Sequence, residues 1–176
     1  MSVDFQLIKS EMADASAIIR EVMAENDVDP ARVRSEDPIQ PSNLDRIRRS
    51  RRYFLTKGFA NFPRHEGFCG RTWTSAHAWC VIDLKRQRIY YRYSQECQKC
   101  DGAGKPVYDE LTIRQMAEWV CNRYLIRVGL LDDEEEPPSD EDAPTKSSQP
   151  HDTARCEMCR LRGGECWQKL ETDVTD

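Results

Sequence analysis

The stretch TSAHAWCVIDLKRQRIYYRYSQECQKC, residues 74–100, decides the fold. Its first part, Thr74 to Leu84, is rich in Trp, Val and Ile and reads as a strand. Lys85, Arg86 and Gln87 make a polar break. Ile89, Tyr91 and Tyr93 then alternate with Arg88, Tyr90, Arg92 and Ser94, the two-residue period of a strand with one covered face. Two such runs around a short turn predict an antiparallel hairpin. With the turn centred near Gln87, Ser75 falls roughly opposite Cys97, so Cys69 on one side and Cys97 and Cys100 on the other approach the same end. Adjacent strands lie about 4.8 Å apart, close enough to share a metal ion.

Cys97 and Cys100 form a CxxC knuckle, and Cys156 and Cys159 form another. Such a turn points two thiolates at one ion, and zinc requires four ligands in a tetrahedron. His65, four residues before Cys69, is the natural fourth ligand beside Cys69, Cys97 and Cys100. Near the C-terminus, His151, Cys156, Cys159 and Cys166 offer a second set of four. In a crossed arrangement, Cys156 and Cys159 would instead complete the hairpin site. Either way the cofactor expected is one or two Zn2+ ions. Cys80, within the strand, and Cys121, on a helix face, sit where buried thiols are ordinary.

Outward from the hairpin, the remaining chain reads as helix and linker. Ile8, Met12, Ala15, Ile19, Val22 and Met23 recur at steps of three and four, which predicts a helix from about Asp4 to Asn26. Pro30, Pro38 and Pro41 turn the next stretch into a loop. Ser42 or Asn43 caps an expected second helix carrying Leu44, Ile47, Phe54 and Leu55, with Gly58 placed to end it. The clearest helix runs from Asp109 to Val128, with Ile113, Met116, Ala117, Val120, Cys121, Tyr124 and Leu125 on one face and Gly129 at its end. From Asp132 the chain is acidic and then rich in Pro and Ser, the composition of a disordered linker.

The expected class is therefore α+β: a zinc-stabilised antiparallel β-hairpin or small sheet packed on an amphipathic helix, with N-terminal helices and a disordered acidic linker. The division expected is a helix and loop over 1–41, a zinc-binding domain over 42–131, the linker over 132–149, a His/Cys segment completing the domain over 150–167, and a tail over 168–176. With 39% hydrophobic and 32% charged residues, the core is small for 176 residues, which is where a metal staple contributes most. The opening residues carry acids where a secretory signal needs an apolar run, and no window approaches a membrane span. A cytoplasmic protein, peripheral to membranes if it acts there, is expected, in a compartment that keeps its eight cysteines reduced.

At its cysteine clusters the chain resembles the 3CxxC-type zinc-finger family, which includes the receptor-transporting proteins and the zygote arrest proteins. The matching text is GFCGRTWTSA (67–76), then Trp79, Val81 and Ile82, then YRYSQECQKC (91–100), followed by Pro106, Tyr108 and the amphipathic helix. The tail PHDTARCEMC (150–159), with its Gly-rich step to Cys166, resembles the receptor-transporting branch. In the family the first cluster is a Cys-x-x-Cys pair whose second member corresponds to Cys69; the first falls at Glu66, so His65 is the expected stand-in. Vertebrate receptor-transporting proteins also end in a membrane anchor that this sequence lacks. The resemblance implies a zinc-binding adaptor that binds membrane receptors of the olfactory or taste type and promotes their targeting to the membrane. The alternative it implies is a cytoplasmic RNA-binding regulator of translation.

Two further features bear on function. Arg46, Arg48, Arg49, Arg51 and Arg52 form a basic stretch with Tyr53, Phe54, Phe59 and Phe62 nearby, a pattern suited to RNA or to anionic lipid, and equally to a solvated helix face. Catalysis is not expected. Every plausible ligand set is closed, and His77 and Cys80, three apart on a strand, face opposite sides.

Overall fold

The computed structural model of the protein describes residues 2–67, 69–132 and 151–166. Apart from Asp132, the expected acidic linker lies outside the described residues, as does the tail over 168–176.

Three antiparallel strands form the main sheet in the order β1-β2-β3: β1 (Tyr53–Phe62), β2 (Trp73–Asp83) and β3 (Arg88–Arg92). The predicted hairpin is β2–β3, in a register that pairs Cys80 with Arg92 and Val81 with Tyr91; Gln87 takes a left-handed φ of 53° in its turn. Beyond it, β4 (Gln95–Glu96) and β5 (Ala103–Gly104) form a second small hairpin whose turn contains the Cys97–Cys100 knuckle.

Strand β1 corrects the sequence reading. The second helix, α2 (Leu44–Arg49), begins as expected, with Asn43 Oδ1 accepting from Arg46 N at 3.2 Å, but it stops at Ser50. Phe54, Leu55 and Gly58 lie on β1, paired with Ile82, Val81 and Ala78 of β2. Tyr53, Phe54, Thr56, Phe59 and Phe62 are the β-branched and aromatic residues that suit a pleated sheet, and the hydrogen-bonding edge of β2 outweighs the local helical spacing. Gly58 has a different task from ending a helix. A Cβ there would stand 2.5 Å from Thr112 Cγ2, so its bare backbone lets helix α3 (Glu110–Arg127) lie against the strand.

The sheet is covered on both faces. Against one face pack α1 (Ser2–Glu25), through Ala15, Ile19, Val22 and Met23, and α3, through Ile113, Met116, Ala117, Val120, Cys121 and Tyr124. These meet Phe54, Ala78, Cys80 and Ile82 of the sheet. Asp109 caps α3, its Oδ1 accepting from Thr112 N at 2.7 Å, and Gly129 ends it with φ 78°. The N-terminal helix is thus built into the same core as the hairpin. Against the opposite face pack Ile39, Leu44 and Ile47 together with the C-terminal segment, whose Met158, Cys156, Cys159 and Cys166 meet Tyr53, Val81 and Tyr93. Short helix α4 (Glu157–Arg162) belongs to that segment and ends at Gly163. Among the described residues, no helix is long and apolar enough to cross a membrane.

A buried ion pair closes one end of the β1–β2 pair. Arg52 Nε and Nη2 donate to the two oxygens of Asp83, both at 2.9 Å, and Asp83 is fully buried. Asp83 Oδ1 also accepts the N–H groups of Lys85 and Arg86, and Arg52 Nη1 donates to the Glu36 carbonyl.

Candidate metal centres

The first cluster forms where the chain between β1 and β2 crosses the β4–β5 hairpin. His65 Nε2 stands 3.2 Å from Cys69 Sγ and 3.1 Å from Cys100 Sγ, and Cys69 Sγ is 3.6 Å from Cys97 Sγ. Backbone bonds set this crossing: Glu66 N donates to the Ala103 carbonyl at 2.8 Å, and Cys97 N to the Gly102 carbonyl at 2.9 Å. Gly102 is required here, because a Cβ would sit 1.3 Å from the Glu66 carbonyl oxygen. Trp73 floors the site, its ring stacked on Phe62 at 5.0 Å and tilted against His65 at 5.4 Å. Cys97 is fully buried, His65 and Cys69 are half-buried, and Cys100 is exposed.

The second cluster is local in the chain. His151 Nε2 lies 3.4 Å from Cys159 Sγ and 3.5 Å from Cys166 Sγ. Cys156 Sγ accepts from Cys159 N at 3.5 Å, and Cys159 Sγ accepts from Cys166 N at 3.3 Å. All three thiols are buried in the second face of the sheet. Docking of this segment is specific: Gln95 bridges Cys156, Glu157 N donates to the Ser94 carbonyl at 3.0 Å, and Glu157 accepts from Ser94 N and from Tyr91 Oη. Burial and the Glu157 carboxylate push the Tyr91 phenol up to about 12, which keeps it a donor.

In each set of four, the ligand atoms all lie within 4.8 Å of one another. Zn–S bonds of about 2.3 Å and Zn–N bonds of about 2.0–2.1 Å give a tetrahedron with edges of roughly 3.5–3.8 Å, close to these spacings. The electrostatics fit a cation as well. Burial works against ionisation of Cys97, but the N–H groups of Lys99 and Cys100, with Cys69 and Arg71 beside it, bring its thiol down to about 6. Cys156 is pushed up to about 12, first by its hydrogen bond with Cys166 and then by burial. Thiols crowded and buried without charge compensation resist ionising; a divalent cation reverses that penalty and accepts them as thiolates.

The structure thus gathers all eight residues expected from the sequence, as two separate quartets without the crossed pairing. In the first cluster the donor beside the three thiols is His65. The basic stretch divides. Arg46, Arg49 and Arg51 are exposed, Arg48 is half-buried and pairs with Asp45 at 3.9 Å, and Arg52 is buried against Asp83, committed to the fold and not to a ligand. Cys80 and Cys121 are pushed up to about 12, chiefly by burial, and belong to the first core. Ser75, Gln95 and Arg155, which hold the quartets in place, lie within the stretches that resemble the family, but nothing in their residue type or spacing marks that role.

No curated protein and no solved structure matches the chain. A family model does: the 3CxxC zinc ribbon, described as a zinc-binding domain, matches residues 57–162, from β1 to the end of α4, taking in the whole first cluster and His151, Cys156 and Cys159 of the second. With that match spanning more than half of the chain, and with two Cys/His quartets spaced for Zn2+, the protein belongs to the 3CxxC zinc-ribbon family and carries its zinc-binding domain.

Proposed function

We propose that the protein is a zinc-stabilised adaptor of the receptor-transporting kind, which binds membrane receptors and promotes their targeting to the membrane. In this reading His65, Cys69, Cys97 and Cys100 hold one Zn2+, and His151, Cys156, Cys159 and Cys166 hold the second. The observation that carries it is that each gathered set numbers four, one imidazole and three thiols. Four protein ligands fill a tetrahedral zinc and leave no position for water or substrate, so the ions stabilise a surface and do not perform chemistry. We therefore take the protein to be a binding module and not an enzyme. The receptor-transporting branch is supported by the segment 151–166, whose resemblance to that branch coincides with a complete second quartet docked on the sheet.

The test is co-expression with a chemosensory receptor and a count of receptor at the cell surface. Increased display that Cys97→Ser and Cys156→Ser both abolish supports the adaptor; display unchanged by the wild-type protein sinks it.

A second reading, an RNA-binding regulator, draws on the exposed arginines of and after α2: Arg46, Arg49 and Arg51. It predicts salt-dependent RNA binding that weakens when these three are neutralised together and that Arg52 does not share. RNA affinity unaltered by the triple substitution removes this reading.

A further inference from the structure

The two quartets touch through side chains that bind no metal themselves. Arg155, the residue before Cys156, donates from Nη1 to the Cys97 carbonyl at 2.7 Å and pairs with the Asp101 carboxylate. Both acceptors belong to the Cys97–Cys100 knuckle and its closing residue. Asp101 N donates to the same Cys97 carbonyl at 2.9 Å, and Asp101 takes a left-handed φ of 61°.

A second route runs through the buried side chain of Gln95, whose backbone also bridges Cys156. Its Oε1 accepts from Trp73 Nε1 at 3.2 Å, and its Nε2 donates to Ser75 Oγ at 3.1 Å. Ser75 Oγ lies 3.5 Å from His151 Nδ1, while Trp73 packs on His65. Buried Trp73, Gln95 and Ser75 thus connect a residue of the first quartet to a residue of the second.

These contacts have a direction of effect. The Cys97 carbonyl and the Asp101 carboxylate are presented together only when the knuckle is closed, and closing it is what an ion on Cys97 and Cys100 does. Arg155 in turn is aimed at them only when the 151–159 segment is wrapped around its own ion. With zinc on His151 Nε2, the imidazole proton sits on Nδ1, facing Ser75 Oγ, which fixes the ring for coordination. Each ion orders half of a contact that the other half needs, and linkage makes that benefit mutual.

We propose that the two zinc ions bind cooperatively, coupled through Arg155 and Gln95, so that the protein passes between metal-free and doubly loaded forms with little singly loaded species between them. This rests on the two-zinc reading above. Arg155 and Gln95 are positioning residues, and their effect is read in metal occupancy.

The experiment titrates the full chain with zinc against a competing chelator and counts ions per molecule by native mass spectrometry. Equal, independent sites reach about one half singly loaded at the midpoint, and a coupling of about 100-fold holds that species near one tenth. Arg155→Met is expected to raise the singly loaded fraction several-fold while two ions still bind at saturation; Arg155→Lys, which keeps the charge but not the planar fork, falls between. Should Arg155→Met fail to fold, the wild-type titration decides alone: complete release of one ion before the second begins to leave overturns the coupling. Two ions bound with the same singly loaded fraction in wild type and Arg155→Met also overturns it and leaves the two-zinc reading intact. A chain that binds no zinc at all overturns that reading itself.

Discussion

The first quartet joins residues up to 35 apart in the chain, whereas the second comes from the single stretch 151–166. The first sits at the turn of the β4–β5 hairpin with Cys100 exposed; the second has its three thiols buried under the sheet. Loop-closure entropy makes the second inexpensive to gather, but its thiols become buried only by docking on Tyr53, Val81 and Tyr93. The first costs slightly more to gather, about 1 kcal/mol by loop length, and it sets where two segments of the chain cross. One quartet therefore organises the path of the chain, and the other covers a face of the sheet. The core behind them follows the same division: Cys97 belongs to the layer of α1 and α3, and Cys156, Cys159 and Cys166 belong to the layer of α2.

Removing both ions is the harshest test of this division of roles. Structural zinc contributes apparent binding of about 10–16 kcal/mol in small modules, against a total stability of about 5–15 kcal/mol for a domain. A chelator-treated sample is expected to lose its cooperative thermal transition and regain it on adding zinc, as followed by circular dichroism. An unchanged melting curve in a preparation confirmed metal-free would remove both quartets from the account of stability.

Single ligands sharpen it. At saturating zinc, Cys97→Ser is expected to release amide protection first around Phe62, Trp73 and the β4–β5 hairpin. Cys156→Ser is expected to release it first around Leu44, Ile47 and Tyr53. Hydrogen exchange resolved by residue reads the difference. Protection lost in the same pattern by both variants would mean that the two layers do not divide as described.

The Arg52–Asp83 pair tests the end of the sheet against which both layers lie. Asp83→Ala strands a buried guanidinium and is expected to cost about 3–5 kcal/mol, whereas replacing both partners with apolar residues costs far less. Denaturant melts of the two single variants and the double variant check this; a double variant as damaged as either single one contradicts it. Gly58→Ala comes next, at about 1–3 kcal/mol, because the new methyl meets Thr112 where α3 leans on β1.

How far the sequence revealed these features follows from which interactions are local. The hairpin, α3 and the ligand quartets rest on short spacings: alternation about Gln87, the 3.6 period from Ile113 to Tyr124, and paired cysteines. Strand β1 was hidden because its partner edge lies across a loop and its own apolar spacing also fits a helix. Val28, Val33 and Ile39, read as loop, are buried in one layer or the other, since the loop lies across the fold with its apolar side chains turned inward. Arg155 and Gln95 lie within the quoted stretches, and their role was unreadable for a different reason. Their partners are backbone carbonyls and polar side chains brought near by the fold, and no residue pattern encodes such a meeting.

The smallest predicted effect concerns a cysteine that belongs to neither quartet. Cys80 is fully buried on β2, its Sγ 4.0 Å from Met116 Sδ, and burial pushes its thiol up to about 12. It is a space-filling group in the first layer, so Cys80→Ala deletes one heavy atom and is expected to cost about 0.5–1.5 kcal/mol, the range for loss of a single buried methyl. The same burial predicts that in the zinc-loaded protein Cys80 reacts with an alkylating reagent only at the rate of global opening, and that chelation, by removing the fold, exposes it along with the ligand thiols. Mass-resolved labelling before and after metal removal measures both. If Cys80 stays as slow to label in a metal-free preparation as in the loaded protein, the first layer stands without zinc, and the quartet that guides the chain is not what holds that layer together.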